Sequence, residues 1–141
     1  MKKHLFGVLT TIVCLAAAFG CGSSRDVKVS GTIAGDTNQA AGPIRLSFYE
    51  RATSADQGTA APAGLTLVDS TTVDALGHFD RTVSMQGDEL HVVAVVDSDA
   101  SDACSDGESW GEAVATVAAD DTVAVELDIA RRTKCPALGT K

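Results

Sequence analysis

Val27-Lys28-Val29-Ser30-Gly31-Thr32-Ile33 places valine, valine, glycine and isoleucine at every second position, with lysine, serine and threonine between them. Successive side chains of an extended chain point to opposite faces, so this pattern predicts a strand with one buried and one wet face. A helix would need a repeat near 3.6, and the stretch has none. The same alternation recurs downstream: Ile44, Leu46 and Phe48 alternate with Arg45, Ser47 and Tyr49. Further strands are predicted over 65–73, over 78–85 with Phe79, Val83 and Met85 inward, over 90–96, over 113–117, and through Val123, Val125, Leu127 and Ile129. The stretch 90–96 is apolar at both parities, which predicts a strand covered on both faces. Turn-forming residues lie between the strands: Gly35-Asp36-Thr37-Asn38, Asp74-Ala75-Leu76-Gly77, Gln86-Gly87-Asp88 and Asp120-Asp121. Seven short strands at this spacing predict an all-β sandwich. The Ala-, Thr-, Ser- and Gly-rich segment 51–64 is expected to be a long exposed loop, and the tail 131–141 to be irregular.

Upstream of this domain the composition changes. Lys2, Lys3 and His4 precede an apolar run over 5–19, then Gly20 and Cys21. The run has about 15 residues, short of the roughly 20 that a spanning helix needs, and has the length of a signal h-region. Ala18-Phe19-Gly20-Cys21 resembles the lipobox of bacterial lipoprotein precursors, and Cys21-Gly22-Ser23-Ser24 resembles their flexible tether. The resemblance implies that 1–20 is a cleaved signal peptide and that Cys21 carries a diacylglyceryl thioether and an N-acyl chain. Residues 21–25 would form the lipidated tether, and the domain would span 26–130. Several acyl chains give stable anchoring where one is marginal. Gly22 after the cysteine, in place of Asp, implies sorting to the outer membrane in a Gram-negative cell. An uncleaved anchor and ordinary secretion are the alternatives.

With Cys14 lost in the leader and Cys21 acylated, Cys104 and Cys135 remain in an oxidising compartment, where a disulfide is the expectation. Zinc is the rival, but the chain has no Cys-x-x-Cys, and once the leader with His4 is lost only His78 and His91 remain as nitrogen ligands.

The 141 residues carry 11 basic and 19 acidic side chains, and loss of Lys2 and Lys3 makes the balance more acidic still. Such a surface repels phosphates, which argues against a nucleic-acid partner. About 120 residues after cleavage suffice for one core.

Val29-Ser30-Gly31-Thr32-Ile33, Gly42-Pro43-Ile44-Arg45-Leu46 and the hairpin Asp74-Ala75-Leu76-Gly77-His78-Phe79 resemble the carboxypeptidase regulatory-like and transthyretin-like domains of exported bacterial proteins. The likeness covers about 100 residues, 26–129. It implies a seven-stranded antiparallel Greek-key sandwich, transthyretin-like or Ig-like, of a kind that more often supports, binds or displays than catalyses. The Tyr-Arg-Gly-Ser ending of the hydroxyisourate-hydrolysing members is not in this chain.

The densest chemistry lies between Asp97 and Glu112. Asp97, Asp99, Asp102, Asp106, Glu108 and Glu112 occur there with no basic residue among them. Carboxylates so close repel unless something neutralises them. With Asp97 as position 1, Asp99, Ser101, a carbonyl of Ala103, Ser105 and Glu108 fall at 3, 5, 7, 9 and 12, the ligand spacing of an EF-hand-like Ca²⁺ loop. Position 6 is Asp102 where that loop has glycine, and the flanks read as strands. Two other readings stand beside calcium: a solvated acidic loop, and neutralisation by Arg131, Arg132 and Lys134 brought near by a Cys104–Cys135 bond.

Gly107-Glu108-Ser109-Trp110-Gly111 matches the G-x-S-x-G nucleophile elbow. That motif needs a strand-to-helix turn and a histidine after the serine, and no histidine follows Ser109. His78 and His91 are expected to be structural or solvent-facing, and Trp110 and Tyr49 to pack in the core or at its edge. The expectation is a non-catalytic, membrane-anchored envelope module that supports or binds an unknown protein, envelope polymer or small ligand. The alternative is a small exported hydrolase using Ser109 or the acidic-loop carboxylates.

Overall fold

The computed structural model describes residues 23–36, 42–51, 64–102 and 104–136; the leader, Cys21, Gly22 and Ala103 lie outside the described residues. All regular structure among the described residues is strand. The strands are β1 (Arg25–Gly35), β2 (Ile44–Arg51), β3 (Leu65–Val73), β4 (Gly77–Met85), β5 (Glu89–Val96), β6 (Ser109–Thr116) and β7 (Thr122–Arg131). Alternation drives each: Val27, Val29 and Ile33 of β1 are buried while Lys28 and Thr32 are exposed. In β7, Val123, Val125, Leu127 and Ile129 are buried between exposed neighbours.

The seven strands form a single sheet in the order β3-β2-β5-β6-β7-β1-β4. One expectation is corrected: the sheet is mixed, because β1 and β7 pair in parallel from Lys28↔Thr122 to Gly35↔Ile129. A parallel pair needs a long crossover, and here everything between the first and last strands serves as one. Period-two patterning marks faces and carries no information on strand direction, so the sequence did not reveal it.

The sheet curls until its ends meet and one face encloses a single core. Ile44, Leu46 and Phe48 of β2 meet Val27 and Val29 of β1, Val83 and Met85 of β4, and Leu127 of β7 in one cluster. Phe48 and Phe79 sit edge to face with ring centroids 6.3 Å apart. Full burial of a side chain such as Phe48 contributes about 1.5–3 kcal/mol. β5 is apolar on both sides for the reason expected. Leu90, Val92, Ala94 and Val96 enter the main core, while Val93 and Val95 join Tyr49 and Trp110 in a second cluster on the opposite face.

The register divides the domain into two poles. At one lie the start of β1 and the turns 86–88 and 117–121; at the other lie turn 74–76, loop 97–108 and tail 132–136. Arg25 fastens the first pole: its guanidinium binds the Gly87 carbonyl at 3.2 Å, the Asp88 carboxylate, and Asp121 at 3.5 Å.

Candidate functional site

Loop 97–108 joins β5 to β6 at the second pole, and Asp97 and Glu108 stand at its two ends. Both are buried, at 8% and 6% exposure. Buried carboxylates need hydrogen bonds, and the loop folds to provide them. The Ser101 N–H donates to both Asp97 Oδ1 and Asp99 Oδ1 at 3.1 Å, and the Asp102 N–H donates to Asp97 Oδ2 at 3.0 Å. Glu108 Oε1 accepts from Ser98 N at 2.8 Å and Ser98 Oγ at 3.0 Å, and its Oε2 accepts from Ser105 N at 2.8 Å. Ser105 Oγ donates to Asp99 Oδ2 at 2.8 Å. The hydroxyls of Ser101 and Ser105 hold the Asp99 carboxyl below the usual carboxylate range.

To turn these N–H groups inward the backbone enters the left-handed region at Ala100 (φ 56°) and Asp102 (φ 56°). Asp102 thus supplies at position 6 the conformation expected of glycine, which aspartate tolerates better than most residues. Gly107, at φ 92°, makes the last turn before β6.

Of the residues at calcium-loop spacing, the fold gathers Asp97, Asp99 and Glu108, with one carboxylate oxygen from each within 4.8 Å of the others. Three carboxylates at this separation could hold a divalent cation, since the N–H bonds occupy only part of each carboxylate's acceptor capacity. Ser101 and Ser105 serve here as donors to carboxylates, and Ala103 lies outside the described residues.

The disulfide Cys104–Cys135 staples this loop to the tail that follows β7. Residues 132–136 of the tail form no helix or strand, yet several bonds fix them. Arg132 N–H donates to Glu108 O at 3.2 Å, Trp110 Nε1 donates to Lys134 O at 2.9 Å, and Cys135 N–H donates to Asp106 Oδ1 at 3.4 Å. The staple does bring Arg132 and Lys134 to this pole. Arg132 goes to Trp110, with its guanidinium 4.4 Å from the ring centroid and Nε donating to Trp110 O at 3.3 Å. Among the described residues no carboxylate lies within ion-pair distance of Arg132 or Lys134.

Ser109 opens β6, is 8% exposed and pairs with Arg131 across the sheet, so the G-x-S-x-G match forms no strand-to-helix elbow. His78 Nε2 lies 3.0 Å from Asp80 Oδ2 on the exposed side of β4. His91 Nε2 lies 2.7 Å from Glu89 Oε1, which also accepts from Arg51 Nε at 2.5 Å; Arg51 and then His91 pull the Glu89 carboxyl below its usual range.

Sequence reasoning missed the Trp110–Arg132 stack and the Arg51–Glu89–His91 cluster. The first joins β6 to the tail after β7 and the second joins β2 to β5, so neither has a signal in local sequence pattern. No family model matches the chain, and comparison with curated proteins and with solved structures gives no significant match.

Proposed function

We propose that this chain is a lipid-anchored, non-catalytic β-sandwich module of the bacterial envelope, held to the membrane at one pole and presenting the other to a protein or envelope polymer. The observation that carries the reading is that Arg25, where the tether would end, lies at the pole opposite loop 97–108. An extended chain from Cys21 to Arg25 reaches at most about 14 Å, and Arg25 fixes the start of β1 among turns 86–88 and 117–121. An acyl group on Cys21 would therefore keep that pole beside the headgroups. The acidic loop and stapled tail would face away, where binding surfaces are expected on loops fixed by a rigid scaffold.

The fold reading that goes with it is the transthyretin-like Greek-key sandwich. It is supported by the split of the strand order at the short β6–β7 ladder, where only Ser109↔Arg131 and Trp110↔Ala130 pair. The two layers would then be β3-β2-β5-β6 and β7-β1-β4. Calcium at Asp97, Asp99 and Glu108 would stabilise the outward loop. Outer-membrane placement follows from Gly22 under the same reading.

Intact mass spectrometry of protein isolated from its host tests the anchor. The expected mass lacks residues 1–20 and carries acyl groups on Cys21, and the protein partitions with membranes. A retained leader without acyl mass overturns the proposal.

A further inference from the structure

Beside the acidic loop, the same pole bears a groove of different character. It has a volume of about 790 Å³ and is lined by Trp110, Glu112, Arg131, Arg132, Thr133, Lys134, Cys135 and Pro136. We infer that this groove is a binding site for a compact multivalent oxyanion, a phosphate ester or polycarboxylate, gripped by Arg132 and Lys134. The assignment deepens the binding-module reading, and it rests on that reading only for the direction the groove faces.

Three observations carry it. The chain is strongly acidic, yet Arg131, Arg132 and Lys134 fall within four residues on the wall of one groove, against a single lining carboxylate, Glu112. Arg25, Arg51 and Arg81 are engaged by carboxylates; Lys28, Arg45, Arg132 and Lys134 have none within ion-pair distance among the described residues, and of these four Arg132 and Lys134 lie together in one groove. Finally, the backbone carrying them is fixed on every side: Arg132 N–H on Glu108 O, Lys134 O on Trp110 Nε1, and Cys135 by the disulfide to Cys104. Stacking on Trp110 holds the Arg132 guanidinium in place at 4.4 Å.

A guanidinium held in place before the ligand arrives, as Arg132 is on Trp110, loses little conformational freedom on binding, and Lys134 adds a second charge from a fixed backbone. Guanidinium and ammonium groups also form stronger hydrogen bonds to phosphate and carboxylate oxygens than to neutral acceptors. The acidic remainder of the surface selects against long polyanions, whose distant charges would be repelled, and leaves a compact ligand as the one that fits.

The test is calorimetric titration of the full-length protein as isolated, anchored or not, with inorganic pyrophosphate and separately with citrate, in buffer freed of divalent cations by passage over a chelating resin, so that chelation plays no part and no competing polycarboxylate is present. Saturable binding is expected, weakened about tenfold or more in both Lys134→Gln and the double variant Arg132→Gln/Lys134→Gln, weakening with added salt, and unchanged in Lys28→Gln on the far side of the sheet. Lys134→Gln alters a side chain with no packing role in the stack, so it stays informative if loss of Arg132 disturbs the fold. Binding of pyrophosphate alone assigns a phosphate ligand, and equal binding of citrate assigns oxyanions generally. Absence of binding to both anions, or equal affinity in wild type and Lys134→Gln, overturns the inference. Either result leaves the anchor reading intact, because that depends on the mass of the N-terminus.

Discussion

Asp69 and Arg81 join the two ends of the sheet. Arg81 Nε lies 2.6 Å from Asp69 Oδ2 and its Nη2 lies 3.3 Å from Oδ1, across the seam between β3 and β4, the first and last strands of the order. Arg81 has the parity of Phe79, Val83 and Met85, so an inward-facing charge stands at the rim of the core. Register shifts between Phe48 and Tyr49 opposite β3, and this bulge lets Asp69 face Phe48 while Leu67 faces Tyr49. Inward charges and bulges at edge strands hinder pairing with other chains.

This pair should give the protein a readable acid dependence. The Arg81 guanidinium holds the Asp69 carboxyl below its usual range. A lowered carboxyl in the folded state stabilises above the unfolded value of about 3.9 and loses that contribution as pH falls through the lowered value. Because the pair is partly exposed, Asp69→Asn should lower the melting temperature at pH 7 by no more than a few degrees. The gap between wild type and variant should narrow as pH falls from the unfolded value through the lowered folded one, and close once the Asp69 carboxyl is protonated in both states. Melting curves across pH 2–7 check this, and a gap constant at every pH contradicts it.

Two glycines are required by packing, and they should differ in cost. A Cβ on Gly31 would lie 2.5 Å from the Phe79 ring and 2.8 Å from Val125 Cγ2. Those are side chains, so Gly31→Ala should cost about 1–3 kcal/mol, the usual range for overpacking. On Gly111 the same atom would lie 2.4 Å from the Asp128 carbonyl oxygen, with Asp128 C at 2.8 Å. That neighbour is the backbone of β7 and has no rotamer to change. Gly111→Ala should therefore be the more damaging of the two in urea unfolding, and a loss under about 0.5 kcal/mol would refute the close approach.

The Cys104–Cys135 bond closes a sequence separation of 31 residues. In the chain-entropy model, removing it by Cys104→Ser/Cys135→Ser should cost about 3–4 kcal/mol. Trp110, the one tryptophan of the chain, reports the local effect, since its Nε1 bond to Lys134 O depends on the tail staying in place. Its emission should shift to the red before global unfolding. Unchanged emission together with unchanged stability would show that the tail is held without the staple.

Most of the fold was legible because period-two alternation encodes the buried face directly. Val27, Val29 and Ile33 announced β1, and the doubly apolar 90–96 announced an interior strand. The start of β6 was less legible: alternation marked a strand only from 113, whereas β6 begins at Ser109 and includes Gly111, which is small so that β7 can approach. The parallel β1–β7 pairing and the Asp69–Arg81 closure join residues distant in sequence, and alternation is blind to which strand lies beside which. In the acidic loop, spacing singled out Asp97, Asp99 and Glu108, and these are the carboxylates that the fold gathers. Spacing could not show that Ser98, Ser101 and Ser105 would satisfy those carboxylates by donating to them, because that depends on left-handed turns at Ala100 and Asp102.

That arrangement sets the terms for calcium. Asp97 and Glu108 already accept peptide N–H groups on both oxygens, so the loop has a stable form without metal, and a cation would add to it by relieving repulsion among three carboxylates. Millimolar Ca²⁺ should then raise the melting temperature, by an amount that grows with concentration; at one hundred times the dissociation constant, mass action gives about 2.7 kcal/mol. Asp99→Asn is the discriminating variant, because Asp99 is exposed, the amide keeps an oxygen for Ser105 Oγ, and the Ser101 N–H that it gives up on Oδ1 still has Asp97 Oδ1 as acceptor. It should leave the metal-free melting temperature nearly unchanged while sharply reducing the calcium response. Glu108→Gln should do both kinds of harm, since Gln keeps one acceptor where the carboxylate offers two to Ser98 and Ser105. A wild-type melting temperature indifferent to calcium and to chelator would leave the loop as a hydrogen-bonded turn with no metal role.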